Sequence, residues 1–230
     1  EERVGGAKAM LADGLYSRFP KPDYALAFHV AAGLPAGMVS ASEGIQYSSS
    51  DSVDIAVPGI GAHGASPQAG KDPVYMASQL VIALQGLISR ERQPLAPGVI
   101  TVGSFHAGLK HNIISDMAKL QVTVRANDEG TRKQLLDGIQ RVTTGIGTLN
   151  GMPADKMPTA TVIEGTPTTI NDAPLARRLN AVMATTLGAK NVVPFEQTGM
   201  GAEDFAYLVQ PDSRVKGYYF AVGGTPMADI

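Results

Sequence analysis

The sequence contains four histidines, His29, His63, His106 and His111, and no cysteine. Imidazole is the side chain best suited to bind a metal ion or to exchange protons near neutral pH. Without cysteine, the chain has no disulfide, no thiolate metal ligand and no thiol nucleophile. Any chemistry therefore rests on histidines and carboxylates, and each histidine has to be judged by its neighbours.

Two of these histidines stand in contexts that suit chemistry, although each context also has an ordinary structural explanation. His29 lies within an apolar run at residues 24–30, next to a loop rich in glycine and proline. Ligands bind at the carboxyl ends of strands in α/β sheets, but a core histidine also fits this pattern. His63 lies in a loop of small residues, 61–67, where it can donate a hydrogen bond to a developing oxyanion. An exposed histidine in a turn is the alternative.

Carboxylate pairs occur at two places in the chain. Glu1 and Glu2 are adjacent at its start, where solvated surface is the alternative to a catalytic pair. Glu203 and Asp204 fall in the first turn of a predicted short helix. Acids at that position also compensate the helix dipole, an effect of about 0.3–1 kcal/mol.

A neutral donor and a guanidinium are candidates for binding a substrate. Asn112 can bind a carbonyl or a carboxylate, and Arg125 follows thirteen positions later, at the end of a predicted strand. The fork of a guanidinium makes two parallel hydrogen bonds to a carboxylate. A turn asparagine and a surface arginine are the alternatives. Phosphate-loop, Gly-x-Ser-x-Gly and His-Glu-x-x-His motifs are absent from the sequence.

The two ends of the chain predict a mixed α/β layer. A helix is expected at residues 4–19 and a short buried strand at 24–30. Toward the other end, a helix is expected at 171–187, a short helix from 203 and a strand at 216–222. Helices alternating with apolar strands are typical of an α/β domain.

Residues 49–164 predict a different architecture. The expected elements are a half-buried strand at 52–57, a helix from Asp72-Pro73 to about Arg92, strands at 99–105 and 119–125, a helix from Asn127-Asp128 to about Leu149, and a strand at 159–163. This β-α-β-β-α-β order is that of a ferredoxin-like domain, an antiparallel sheet with two helices on one face. We therefore expect such a domain to be inserted into a larger α/β domain made of residues 1–48 and 165–230.

The composition excludes several classes of protein. The chain is 44% hydrophobic and 17% charged, with a net charge of -2, so no basic excess favours nucleic acid or an anionic membrane surface. The absence of tryptophan and an aromatic content of 6% argue against base-stacking platforms. No apolar run reaches the roughly 18 residues of a membrane span.

The order of short motifs along the chain resembles one enzyme family. These motifs are Glu1-Glu2, Gly-Ala-Lys-Ala-Met at 6–10, Ala-Leu-Ala-Phe-His-Val at 25–30, Gly-Ala-His-Gly-Ala-Ser-Pro at 61–67, Lys-His-Asn-Ile-Ile at 110–114 and Met-Gly-Ala-Glu-Asp-Phe at 200–205. Together they resemble the aminoacylase and carboxypeptidase G family of metallopeptidases, in the branch of hippurate hydrolase and indoleacetyl-amino-acid hydrolases. The resemblance extends over essentially the whole chain.

The resemblance implies an activity and a set of site residues. The activity is metal-dependent hydrolysis of the amide bond in N-acyl or N-aroyl amino acids or short peptides, with two divalent ions (Zn, Mn, Co or Ni). Glu1 matches the general base, and Glu2 and His29 match metal ligands. His63 would polarise the scissile carbonyl, from the partner subunit of a homodimer formed by the inserted lid. The residues expected to hold or border the substrate are Asn112, Arg125, Glu203 and Asp204.

The chain also departs from the family pattern. The family has further ligands upstream of Glu1, including a cysteine, and a ligand histidine near its C-terminus, whereas no histidine follows His111 here. Only Glu2 and His29 then remain as metal ligands, and catalytic zinc ordinarily has three protein ligands. We expect this chain alone to be an incomplete and inactive fragment. The alternative is a catalytically inactive dimerisation or binding module built on the lid.

Overall fold

A computed structural model describes residues 5–229 of the chain. The helices in this part are α1 (Gly6–Ala12), α2 (Leu15–Arg18), α3 (Pro73–Gly86), α4 (Glu129–Leu149) and α5 (Ala173–Leu187). The strands are β1 (Tyr24–Pro35), β2 (Val39–Ser40), β3 (Gly44–Tyr47), β4 (Ser49–Pro58), β5 (Ala62–His63), β6 (Gly98–Ala107), β7 (Ile113–Ile114), β8 (Met117–Ala126), β9 (Thr159–Thr166), β10 (Thr169–Asn171), β11 (Val192–Val193) and β12 (Lys216–Thr225). None of the helices in this part of the chain is long and apolar enough to cross a membrane.

The chain divides into two compact units. We call Ser50–Gly165 the inserted unit, and the residues up to Ser49 together with those from Thr166 onward the flanking unit. The chain therefore leaves one unit, completes the other and returns.

The inserted unit contains the predicted β-α-β-β-α-β series, which is confirmed. Its main sheet has the order β6-β8-β4-β9, and β6 runs antiparallel to β8. Helices α3 and α4 pack on the sheet through a continuous apolar core, in which the most deeply buried side chains include Val57, Leu80, Leu84, Leu120 and Ile139. Strand β4 alternates buried and half-buried residues along its whole length, as predicted for a strand with one covered face.

The predicted caps explain where the helices of the inserted unit begin. The Asp72 carboxylate accepts a hydrogen bond from the Val74 N–H at 2.8 Å, ahead of proline at the first helical position of α3. The Asp128 carboxylate accepts from the Thr131 N–H at 2.7 Å at the start of α4. Helix α3 ends in a π-helical turn, Leu87–Glu91, which accounts for the predicted end near residue 92.

A buried ion pair joins strand β4 to helix α4. The Asp51 side chain is fully buried, and it accepts from Arg132 Nε at 2.8 Å and from Arg132 Nη2 at 2.7 Å. Hydrogen bonding to Asp51 raises the pKa of Arg132 above its usual value. Gly165 of β9 lies against both side chains, where an added Cβ would collide with the Asp51 carboxylate.

The flanking unit is built on a second sheet with the order β1-β12-β2-β11. Strand β1 runs parallel to β12, and α5 covers Tyr218 of β12 with Leu175 and Ala176. Burial raises the pKa of Tyr218 to about 12. The Asp172 carboxylate accepts from the Leu175 N–H at 2.9 Å and so caps α5, whose predicted start and end are confirmed.

Two predictions for the first part of the chain were wrong. The single helix expected at residues 4–19 is two helices within the described part, because Gly14 takes a left-handed conformation with φ of 89°. The strand expected to be buried at 24–30 runs instead to Pro35, and Leu26 and Phe28 are 55% and 61% exposed. Helix α5 packs on Tyr218 of β12 and leaves Leu26 and Phe28 of β1 exposed.

Candidate functional site

The inserted unit brings His63 and Asn112 together. Strands β5 and β7 form a short antiparallel ladder in which His63 pairs with Ile113. The Gly64 N–H donates to the Asn112 carbonyl at 2.8 Å. A Cβ on Gly64 would lie 3.1 Å from the Asn112 carbonyl carbon, so glycine at this position permits the close approach of the two loops.

The local backbone selects the tautomer of His63. The Ala65 N–H donates to His63 Nδ1 at 3.1 Å, so this nitrogen carries a lone pair. In a neutral imidazole the proton is then on Nε2. The exposed side chain of His63 thus presents an N–H donor, the group that stabilises a developing oxyanion.

Asn112 has a buried oxygen atom that is not used within the described residues. Its Oδ1 is buried and has no hydrogen-bond partner among residues 5–229. A buried amide oxygen without a partner is unfavourable, and native structures ordinarily satisfy it with protein, water or ligand.

Arg125 lies at the opposite end of the inserted unit's sheet. It is near the end of β8, eight residues beyond Met117, whereas Asn112 lies just before β7 at the other end of that strand. A rise of about 3.3 Å per residue separates Met117 and Arg125 by about 25 Å. The structure therefore does not bring Asn112 and Arg125 together within one chain.

His29 of the flanking unit has the opposite tautomer from His63. Its Nδ1 lies 2.7 Å from the Val30 carbonyl oxygen, which can only accept a hydrogen bond. The proton is therefore on Nδ1, and Nε2 carries a lone pair on an exposed side chain. This is the arrangement of a metal-ligating histidine, whose other nitrogen commonly donates to a carbonyl.

Both carboxylates of the pair near residue 204 have structural partners. Glu203 accepts from the Asp204 N–H at 3.1 Å at the start of a 3-10 helix, Asp204–Val209, which confirms the predicted short helix. Asp204 Oδ2 accepts from the Ala7 N–H at 2.9 Å, in the first turn of α1. This contact joins the 200–205 motif to the helix that follows Glu1 and Glu2 in the sequence.

Two tyrosines that sequence reasoning missed surround Glu203. The Tyr219 hydroxyl donates to Glu203 Oε2 at 2.7 Å, and the rings of Tyr47 and Tyr219 meet edge to face with centroids 5.2 Å apart. Burial, followed by the hydrogen bond to Glu203, raises the pKa of Tyr219, and burial also raises the pKa of Tyr47. The signal available in the sequence was Tyr218-Tyr219 in a strand, since neighbouring strand residues point to opposite faces.

The described residues do not supply a complete metal site. His29 presents a free lone pair, but no three histidine or acidic side chains come together within residues 5–229. Glu1 and Glu2, the expected base and ligand, lie outside the described residues.

The comparison with known families identifies the inserted part of the chain. Residues 48–144 match the model of the peptidase dimerisation domain of the M20 family. The chain is 36% identical to hippurate hydrolase of Campylobacter jejuni over 91% of its own length and 54% of that relative. It is 30% identical to thermostable carboxypeptidase 1 of Saccharolobus solfataricus over 96% of its length and 53% of that relative.

Solved structures show the same fold. A protein from methicillin-resistant Staphylococcus aureus described as an aminohydrolase matches with a TM-score of 0.79 and 27% identity, over 96% of this chain and 54% of that one. The YXEP protein of Bacillus subtilis, described as a dinuclear metal-binding peptidase, matches with a TM-score of 0.70 and 24% identity over 96% and 52%. Residues 48–144 thus match a peptidase dimerisation domain, the chain as a whole is similar to peptidases and amidohydrolases of the M20 kind, and it spans about half the length of these relatives.

Proposed function

We propose that the protein containing this chain is a metal-dependent amidohydrolase that cleaves N-acyl or N-aroyl amino acids or short peptides. The observation that carries the proposal is His63, whose Nδ1 accepts from the Ala65 N–H. Its Nε2–H is then available to the amide carbonyl oxygen, which gains negative charge as a nucleophile attacks. The relatives named hippurate hydrolase, carboxypeptidase and N-acetyldiaminopimelate deacetylase support this reaction type.

The substrate's polar groups are assigned to Asn112 and Arg125. The Asn112 amide, next to His63, would bind the acyl or peptide carbonyl, and the Arg125 guanidinium would bind the carboxylate. A separation of about 25 Å along β8 exceeds the length of a small N-acyl amino acid. We infer that Asn112 and Arg125 of one chain serve different sites.

This separation supports a homodimer formed by the inserted unit, which we propose as a lid and dimerisation domain with boundaries near residues 49 and 164. In such a dimer, His63 and Asn112 of one subunit would complete a site that contains Arg125 of the other. The match to a peptidase dimerisation domain supports the same arrangement.

We propose two divalent metal ions (Zn, Mn, Co or Ni) as the cofactor, with His29 Nε2 and Glu2 among the ligands. Such ions act as Lewis acids on a carbonyl group. The free lone pair of His29 and the likeness to a dinuclear metal-binding peptidase support this assignment. Glu1 keeps its proposed role as general base, and Glu203 and Asp204 are proposed to border the site through their contacts with Tyr219 and α1.

The proposal can be tested with an assay for N-benzoylglycine hydrolysis. The assay uses the whole protein that the gene encodes. We expect turnover that requires added Mn or Zn and is abolished by chelation. His63→Gln removes the Nε2–H donor and should lower kcat about 100-fold or more, with a smaller change in KM. His111→Gln, a histidine two positions from Ile113 in the same region, is the matched control and should retain activity.

Two outcomes would contradict the proposal. Equal activity of the His63→Gln and wild-type proteins would remove the assigned role of His63. A folded dimer without hydrolysis of any N-acyl amino acid would favour the alternative, a binding or dimerisation module. The same assay on the 230-residue chain alone tests the expectation that this part is inactive by itself, and turnover there would show that expectation to be wrong.

A further inference from the structure

A pocket lies on the face of the inserted unit's sheet opposite α3 and α4. Its volume is about 460 Å³, and its lining includes Asp54, Ala56, Ser104, His106, Lys119 and Gln121. Strand β9 adds the hydroxyl-bearing Thr159 and Thr161. Neither His63 nor Asn112 lines the pocket, and none of its side chains has a role in the proposed reaction.

A β-bulge in strand β6 creates one wall of this pocket. Val102 pairs with Val122, but the next pair is Ser104 with Gln121, so Gly103 is an extra residue. Cross-strand partners share a face of the sheet, and the bulge therefore puts Ser104 and His106 beside Gln121 and Lys119. Without the bulge, the alternation would direct Phe105 to this polar face. Bulges that redirect side chains in this way are common next to functional sites.

One hydroxyl group in the wall lacks a partner. Ser104 Oγ is buried and makes no hydrogen bond with any other group in residues 5–229. A buried hydroxyl without a partner is unfavourable, and native structures ordinarily satisfy it with protein, water or ligand. Because this oxygen has almost no exposed surface, a change of the Ser104 χ1 rotamer would turn its unused hydroxyl toward a molecule bound in the pocket.

The pocket contains one group of each charge. Lys119 supplies an ammonium, and Asp54 supplies a carboxylate that accepts from Gln121 Nε2 at 3.4 Å. A ligand with a single charge would leave one of these groups without a counterpart, whereas a zwitterion satisfies both. Ala56 of β4 also lines the pocket, and its small side chain leaves room for the ligand's carbon atoms.

We propose that this pocket binds a free α-amino acid. Lys119 and the Ser104 hydroxyl would bind its carboxylate, and Asp54 would bind its ammonium group. The class of ligand follows from the charges in the pocket. Only the further step, that the amino acid is the hydrolysis product and regulates the enzyme, rests on the proposed function.

Nuclear magnetic resonance of the histidine rings tests the proposal, because the chain has only four histidines and His106 lines the pocket. His106→Gln assigns the His106 ring signals, and glycine and L-phenylalanine serve as probes. We expect saturable shifts of these signals with either amino acid. Acetate and methylammonium each carry one of the two charges, and we expect them to bind about tenfold more weakly or worse.

Substitutions identify the groups that bind. Lys119→Met and Asp54→Asn should each weaken glycine binding about tenfold or more, and Ser104→Ala should weaken it less. Lys133→Met, on α4 outside the pocket, is the control and should leave binding unchanged. Thermal unfolding of each variant establishes that it is folded.

Three results would overturn the proposal. The first is no shift of the His106 signals with either amino acid. The second is acetate binding as tightly as glycine while Asp54→Asn has no effect, which would make the ligand a simple anion. The third is glycine binding that survives both Lys119→Met and Asp54→Asn. Because none of these measurements depends on turnover, glycine binding in a protein that hydrolyses no amide would support the pocket while contradicting the proposed function.

Discussion

The two main sheets of this protein differ in how far they expose the large apolar side chains of strands β8 and β1. In the inserted unit, Leu120 of β8 is 1% exposed beneath α3 and α4. In the flanking unit, Leu26 and Val30 of β1 are 55% and 57% exposed, although the strand has a similar composition. The difference lies in helix coverage, since α5 packs on Tyr218 of β12 and reaches β1 at Tyr24, where Arg178 lies over the ring, while Leu26 and Val30 stay exposed.

The inserted unit is stabilised by contacts among its own residues. Its core is continuous between sheet and helices, and the Asp51–Arg132 pair joins β4 to α4 within the unit. In strand β1, the exposed side chains of Leu26 and Val30 contribute less to stability than the buried Leu120 of β8 does. Substitutions should therefore have large effects in the first region and small ones in the second.

The largest effect is expected from the buried ion pair. Asp51→Ala leaves Arg132 partly buried without its main partner and should destabilise the inserted unit by about 3–5 kcal/mol. Urea unfolding measures the loss, and hydrogen exchange locates it in Ser50–Gly165. The double variant Asp51→Leu with Arg132→Met removes both charges and should recover much of the stability. If it is no more stable than Asp51→Ala, the loss reflects the shape of the site and not the unpaired charge.

Two leucines give a matched test of burial. Leu120→Ala should destabilise the protein by about 2–5 kcal/mol, because it leaves a cavity beneath the helices. Leu26→Ala, in a strand of the other sheet, should change stability by no more than about 0.5 kcal/mol, because its side chain is more than half exposed. Equal losses in urea unfolding would mean that the face of β1 is covered in the native protein.

The caps predict a smaller effect that depends on pH. The hydrogen bond from the Thr131 backbone lowers the pKa of Asp128 below its usual 3.8, so the folded state favours the carboxylate. Its contribution is complete above that usual pKa and is lost as the pH falls through the lower folded-state pKa. Asp128→Ala should cost about 1 kcal/mol at neutral pH, and the difference from wild type should shrink in acid. Asp128→Asn keeps an acceptor but cannot titrate, and its stability should lack this acid-dependent part.

The smallest effect involves no change in stability. One histidine of each region has a tautomer set by its neighbours, with the proton on Nδ1 in His29 and on Nε2 in His63. Long-range nitrogen–proton correlation spectra above about pH 8, where imidazoles are neutral, distinguish the two forms. Single His→Gln variants assign the signals. The same tautomer at both positions would remove the distinction between a metal ligand and an oxyanion donor.

Much of the inserted unit could be predicted because its signals are local. Alternation in β4 predicts one covered face, and aspartates before proline or acidic residues predict where α3 and α4 begin. These features depend on neighbours within a few residues, so the sequence contains them directly. The candidate residues His63, Asn112 and Arg125 were likewise recognisable from short motifs.

Other features depend on residues that are distant in sequence. Asp204 caps a helix whose N–H group is 197 positions away, and the bulge at Gly103 is visible only from the register of β6 against β8. Which face of β1 is covered by a helix depends on where α5 packs, and no local sequence pattern indicates that position. The placement of Asn112 and Arg125 toward opposite ends of β8 likewise follows from the direction of that strand.

The sequence by itself determined the element order, the helix caps, the family and the candidate residue types, because each depends on local chemistry or on short motifs. Only the tertiary structure decided which faces are covered and which side chains share a pocket. Those outcomes depend on backbone groups and side chains that meet only when the chain folds, since hydrogen bonds and packing act over a few ångströms of space and not of sequence.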